Sequence, residues 1–255
     1  MLGCKSTITI TLGDQAENHV GMQKIGTLSK CGFTYEDMVQ VINKYDNDDY
    51  ELINLSEHCE PKYKPDPAYV LILKSGVNKY CDPNDLYHEM TELPWDSKAL
   101  MYGRVVNKHA RHNLCFGPIA QEPNYENGKG RIISLLSTPI LSSIMDVMND
   151  LLPHKANDLV AEGNYYYDVT KCGIGYHGDT ERKKVIGIRL GATMPLVFQW
   201  YSGGAKVGNP LTFTLEHGDI YFMSEKATGN DWKKRNITTL RHAAGCDKYI
   251  NPQIV

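Results

Sequence analysis

The chain has 255 residues, 42% hydrophobic and 22% charged, with a formal net charge of −3. This suits one large globular domain, or one medium domain with an N-terminal elaboration. The slightly acidic balance excludes a broad electrostatic surface for nucleic acid but leaves a local basic groove open. No apolar run has the length of a membrane span, and the first residues lack the apolar core of a signal peptide, so a cytoplasmic or nuclear protein without membrane contact is expected.

In chain order, residues 7–12 (TITITL) alternate as a half-buried strand should. The polar stretch GDQAENHVGMQKIG that follows gives no assignment. Residues 34–45 predict an amphipathic helix capped by Thr34, with Met38, Val41 and Ile42 on its apolar stripe. Tyr50–Leu55 and Tyr69–Leu73 read as strands, the second buried, with a Pro-containing loop between them. The acidic segment Asp82–Trp95 contains two prolines and marks a loose boundary. Residues 1–95 are therefore expected to form an N-terminal α/β extension of unknown role, and 96–255 the main domain.

After Gly103 the texture becomes basic, with Arg104, Lys108 and Arg111 close together. Residues 138–152 predict a helix, with Pro139 suited to its first turn. From Glu162 onward short β-rich runs alternate with turn signals. Helical support followed by many short strands predicts an α+β protein with a jelly-roll or barrel core. Seven scattered cysteines (Cys4, Cys31, Cys59, Cys81, Cys115, Cys172 and Cys246) form no Cys-x-x-Cys pair, so reduced thiols are expected rather than disulfides or structural zinc.

The chemistry-bearing signal is His177-Gly178-Asp179 at the end of a strand run, with a further histidine downstream. Two histidines and one carboxylate on one face of an iron ion leave positions open for co-substrate and oxygen. The third ligand is His242 or His217. His217 precedes Gly-Asp and reads as a turn residue; His242 ends an apolar run and precedes two alanines, so His242 is expected to point inward. A dicarboxylate co-substrate also needs a rigid cation, which a guanidinium supplies bidentately. Arg235 and Arg241 flank the last strand run and are the expected anchors. Adjacent strand residues face opposite ways, so Arg241 and His242 share a pocket only if a bulge or strand end intervenes.

The stretch from Asn164 to Glu181, with its Asn-x-Tyr and His-x-Asp-x-Glu, resembles the AlkB-like branch of the iron(II)/2-oxoglutarate oxygenases. So do Gly218–Met223, the spaced pair Arg235 and Arg241, and residues 110–117, which are similar to that family's nucleotide-recognition segment. The resemblance runs from about Gly103 to Gly245 and implies a double-stranded β-helix. Fe(II), 2-oxoglutarate and O2 would serve as cofactor and co-substrates, with Asn164 and Tyr166 hydrogen-bonding the 2-oxoglutarate. It further implies oxidation of a C–H bond, by hydroxylation or oxidative demethylation, in a modified base of DNA or RNA flipped into the pocket, with Arg104–Arg111 on the phosphates.

One departure matters: the slot of the family's distal histidine, residues 224–234, contains none. His242-Ala-Ala-Gly-Cys with Lys248 is similar instead to prolyl hydroxylases, in which register Lys248 would hold 2-oxoglutarate. A protein side-chain hydroxylase and a metal-free jelly-roll binding module are the alternative readings.

Overall fold

In the Thr-Ile alternation that opens the chain, Ile8, Ile10 and Leu12 join a core built with helices, while Thr9 and Thr11 face a cavity on the other side. A strand must bury two faces when it lies inside a layered structure, and here one face is apolar and the other polar. The computed structural model describes residues 5–45 and 48–251; Cys4 lies outside them. The other six cysteines are free thiols.

The first half of the chain runs through β1 (Thr7–Gly13), β2 (Gln15–Glu17), β3 (Lys24–Gly26), α1 (Tyr35–Tyr45), β4 (Tyr50–Asn54), β5 (Tyr69–Leu73) and α2 (Pro83–Thr91). It continues through β6 (Lys98–Met101), β7 (Arg104–Asn107), β8 (His112–Gly117), β9 (Ile132–Ser134) and α3 (Pro139–Leu151). The second half is β10 (Val160–Tyr166), β11 (Gly173–His177), β12 (Val185–Gly191), β13 (Met194–Ser202), β14 (Ala205–Leu215), β15 (Ile220–Met223) and β16 (Thr239–Gly245).

The protein is a mixed α+β structure. An eight-stranded sheet has the order β4-β5-β15-β12-β1-β10-β8-β9, antiparallel except for β8 with β9, and a four-stranded sheet has the order β11-β16-β13-β14. Side-chain alternation on the large sheet makes three layers. Ile186, Ile188, Leu190, Ile220 and Phe222 pack with Met38, Leu86 and Ile144 of the three helices. The opposite face presents Val185, Tyr221 and Met223 to Leu196, Phe198, Trp200 and Leu240 of the small sheet. From β10 to β16 the chain passes between the sheets, with β10, β12 and β15 in the large one and β11, β13, β14 and β16 in the small one.

Two expectations need correction. Residues 1–95 are not an appended extension: β1 lies between β12 and β10, and β5 pairs with β15. Asp82–Trp95 is not a loose boundary either. Asp82 caps α2 by accepting from the Asn84 amide, Pro83 occupies the first turn, and Leu86 and Met90, four apart, are buried. Asp82 and Pro83, which suggested a boundary, are the start signals of a helix, and Pro94 follows its end. No helix among the described residues is long and apolar enough to cross a membrane.

Candidate metal centre

His177 ends β11, and His242 lies directly across from it on the neighbouring β16. The ladder shifts between Ile174 and His177, three residues of β11 spanning two of β16, and this bulge turns the His177 ring to the inner side. Asp179 follows in the turn, where its amide donates to the Thr228 carbonyl at 2.9 Å. Gly178 is required by close approach: a Cβ there would stand 2.1 Å from the Gly229 carbonyl oxygen.

The three side chains converge. Nε2 of His177 and Nε2 of His242 each lie 3.6 Å from Oδ1 of Asp179, and one ligand atom from each residue falls within 4.8 Å of the others. Metal–ligand bonds of about 2.1 Å at roughly 90–110° separate ligand atoms by about 3.0–3.5 Å, so a small contraction brings all three onto one ion. The His177 Nδ1 faces the Gly175 carbonyl at 2.8 Å, the outer contact that leaves Nε2 free to ligate. His242 is held by packing, its ring edge-on to Phe198. Burial, then the neighbouring His242, pushes His177 down to about 3, so its imidazole is neutral. Burial alone would raise the Asp179 carboxyl; Arg182 and the two imidazoles outweigh it and hold the group below its usual range. A carboxylate with imidazole nitrogens is a ligand set that a divalent cation can use.

The triad opens on a cavity of about 160 Å³ between the sheets, into which Thr9, Tyr166, Arg189 and Tyr221 project. Arg189 is 1% exposed, and its Nε and Nη1 have no hydrogen-bond partner among the described residues. Burial lowers its pKa, partly opposed by Tyr221 and Tyr166. A buried guanidinium with unpartnered N–H groups suits an anion, because burying the charge alone is costly and a carboxylate offsets that cost. Sequence reasoning missed it, although a charged residue at an inward position of VIGIRLG was the available signal.

Asn164 and Tyr166 line the cavity as expected. The Asn164 carbonyl already accepts from Arg111 Nε at 2.6 Å and Asn113 Nδ2 at 2.8 Å, and its amide donates to Glu162 at 3.1 Å. Arg235 and Arg241 do not join the site. Arg235 is exposed, and Arg241, adjacent to the inward His242, stacks on Tyr201 and Trp232 with ring distances of 3.8 and 5.0 Å. Lys248 is exposed over Tyr249. His217 accepts from the Gly191 amide at 2.9 Å and lies outside the triad. In the stretch Arg104–Arg111, Arg104 is exposed on β7 while Lys108 and Arg111 make internal hydrogen bonds. Lys108 donates to Asn18 Oδ1 and Asn113 Oδ1, burial pushing it down to about 8, and Arg111 lines the cavity. Residues 112–117 form β8 inside the large sheet.

No family model matches the sequence. The chain is 51% identical over 254 residues to an uncharacterized protein of Acanthamoeba polyphaga mimivirus, an alignment covering 98% of this chain and 100% of that protein.

Proposed function

The chain belongs to the same family as the uncharacterized mimivirus protein, so its function is read from its own cavity, and we propose that it is an Fe(II)- and 2-oxoglutarate-dependent oxygenase. The carrying observation is that Arg189, buried and with its Nε and Nη1 unpartnered among the described residues, shares one cavity with His177, Asp179 and His242. Two imidazoles and one carboxylate on one side of an ion suit non-haem iron with open positions. Iron there, with 2-oxoglutarate and O2, would couple decarboxylation of the keto acid to succinate and carbon dioxide with insertion of the second oxygen atom into a substrate C–H bond.

This chain's residues have separable tasks. His177, Asp179 and His242 hold the ion. Arg189 takes the far carboxylate of 2-oxoglutarate, with Thr9 beside it, whose Oγ1 is buried without a partner. Tyr166 and Tyr221 wall that end of the cavity and exclude water from it. The fold supports the same reading. Taken with β1, the strands from β10 to β16 make eight that pass between two sheets, the course of a double-stranded β-helix in which β1 closes the large sheet.

Anaerobic titration of the full chain with Fe(II), then with 2-oxoglutarate, tests this reading. One iron per chain, one 2-oxoglutarate that needs Arg189, and iron-dependent succinate formation in air are expected. Absence of stoichiometric iron overturns it.

A further inference from the structure

Glu17 ends β2 and enters the same cavity. Its side chain is buried, and Oε2 has no hydrogen-bond partner among the described residues. Two further carboxylates stand beside it, Glu162 and Glu181, and both are bound by one cation. Arg182 donates through Nη2 to Glu162 and, at 2.8 Å, to Glu181, while its Nε lies 3.7 Å from Asp179. Arg111, which also lines the cavity, is hydrogen-bonded to Asn164. Arg182 is shared among Glu162, Glu181 and Asp179, and Lys24 is the further cation acting on Glu17, yet no group donates to Glu17 Oε2 among the described residues. Burial, followed by the nearby Glu181, pushes Glu17 up to about 7.

From this geometry we infer that the cavity beside the metal centre takes a protonated amine or guanidinium, and that the substrate is a basic amino-acid side chain with its charged end on Glu17. A cation donating to Glu17 Oε2 supplies the missing hydrogen bond in its charge-assisted form. The cavity of about 160 Å³ is close in size to an engineered one that holds benzene, and the Arg189 end is needed for the co-substrate. A slim aliphatic chain suits a space of this size. Of the basic groups expected to grip phosphates, Arg104 is exposed, but Lys108 and Arg111 are committed to internal hydrogen bonds. The exposed run Lys233–Arg235 near the cavity suits an acidic neighbour in a peptide as well as a phosphate. The inference rests on the oxygenase reading for the reaction but not for binding.

The test is calorimetric titration of the full chain, metal-free and again with Mn(II) and 2-oxoglutarate, using Nα-acetyl-lysinamide, its neutral isostere Nα-acetyl-norleucinamide, and a short oligonucleotide bearing an N-methylated base. The lysine derivative is expected to bind about ten- to a hundredfold more tightly than the isostere, the range for a lost charge-assisted hydrogen bond. Glu17→Gln, and independently Glu17→Ala, should abolish that preference while Mn(II) and 2-oxoglutarate still bind and circular dichroism is unchanged. Equal affinity for the two amides, a preference that survives both substitutions, or binding of the oligonucleotide alone overturns the proposal. Failure of Mn(II) and 2-oxoglutarate to bind the wild type would sink the oxygenase reading instead, leaving the metal-free titration to judge the cation site.

Discussion

Thr9 of β1 lies directly across the antiparallel ladder from Arg189 of β12, and both side chains face the cavity that holds the metal triad. The N-terminal strand thus helps build the wall against which an anion would sit. Neither residue has its full complement of hydrogen bonds among the described residues.

Replacing Arg189 by Met should separate binding from stability. Loss of the guanidinium proposed to hold the far carboxylate should weaken 2-oxoglutarate by about a hundredfold, while metal affinity stays within about twofold. The ligand-free variant should be more stable by about 1–3 kcal/mol, because a buried charge without a partner is removed. Thermal unfolding with and without 2-oxoglutarate reads both effects, and a destabilised apo variant would show that Arg189 has a structural partner.

His177→Ala, Asp179→Ala and His242→Ala should each lose stoichiometric metal while keeping the far-ultraviolet dichroism of the wild type. His217→Ala should keep the metal, since His217 bonds to the Gly191 amide instead. Gly178→Ala should weaken metal binding without touching a ligand, because its Cβ would push against the Gly229 backbone and displace Asp179. Equilibrium dialysis against Mn(II) or Zn(II) decides all five.

Glu17 predicts a pH-dependent stability. Its folded pKa of about 7 lies above the ordinary 4.5, so between those values the folded chain keeps a proton that the unfolded chain has released. Stability must then fall as pH rises through that window, by on the order of 2 kcal/mol from this group. Glu181, Lys24, Glu162 and Arg182 are the charged groups that face it. Glu17→Gln should therefore gain most over wild type at pH 8 and little at pH 4.5, as followed by urea denaturation; equal gains at both values would remove the assignment.

Ile188→Ala should cost about 2–5 kcal/mol, because Ile188 is fully buried between β12 and the helices and its loss leaves a cavity. Metal affinity should be unchanged, since the neighbouring Arg189 faces the other way. A denaturation midpoint near that of wild type would contradict the layered packing.

Local periodicity made much of the architecture legible. The Thr-Ile alternation of residues 7–12, the buried run Tyr69–Leu73 and the helix that became Pro139–Leu151 each carry their pattern within a dozen residues. His177 and Asp179 were legible for the same reason, being two apart. His242 was favoured over His217 from its apolar surroundings, and the bulge in β11 then placed it beside His177. What no local pattern contains is which strands become neighbours. That β1 would lie between β12 and β10, setting Thr9 beside Arg189 and carrying the chain on to Glu17 in the cavity, follows from long-range pairing. Of the expected arginines, Arg235 lies exposed ahead of β16, and Arg241 failed for the complementary reason: β16 turns alternate residues to opposite faces, so once His242 points inward Arg241 must point out.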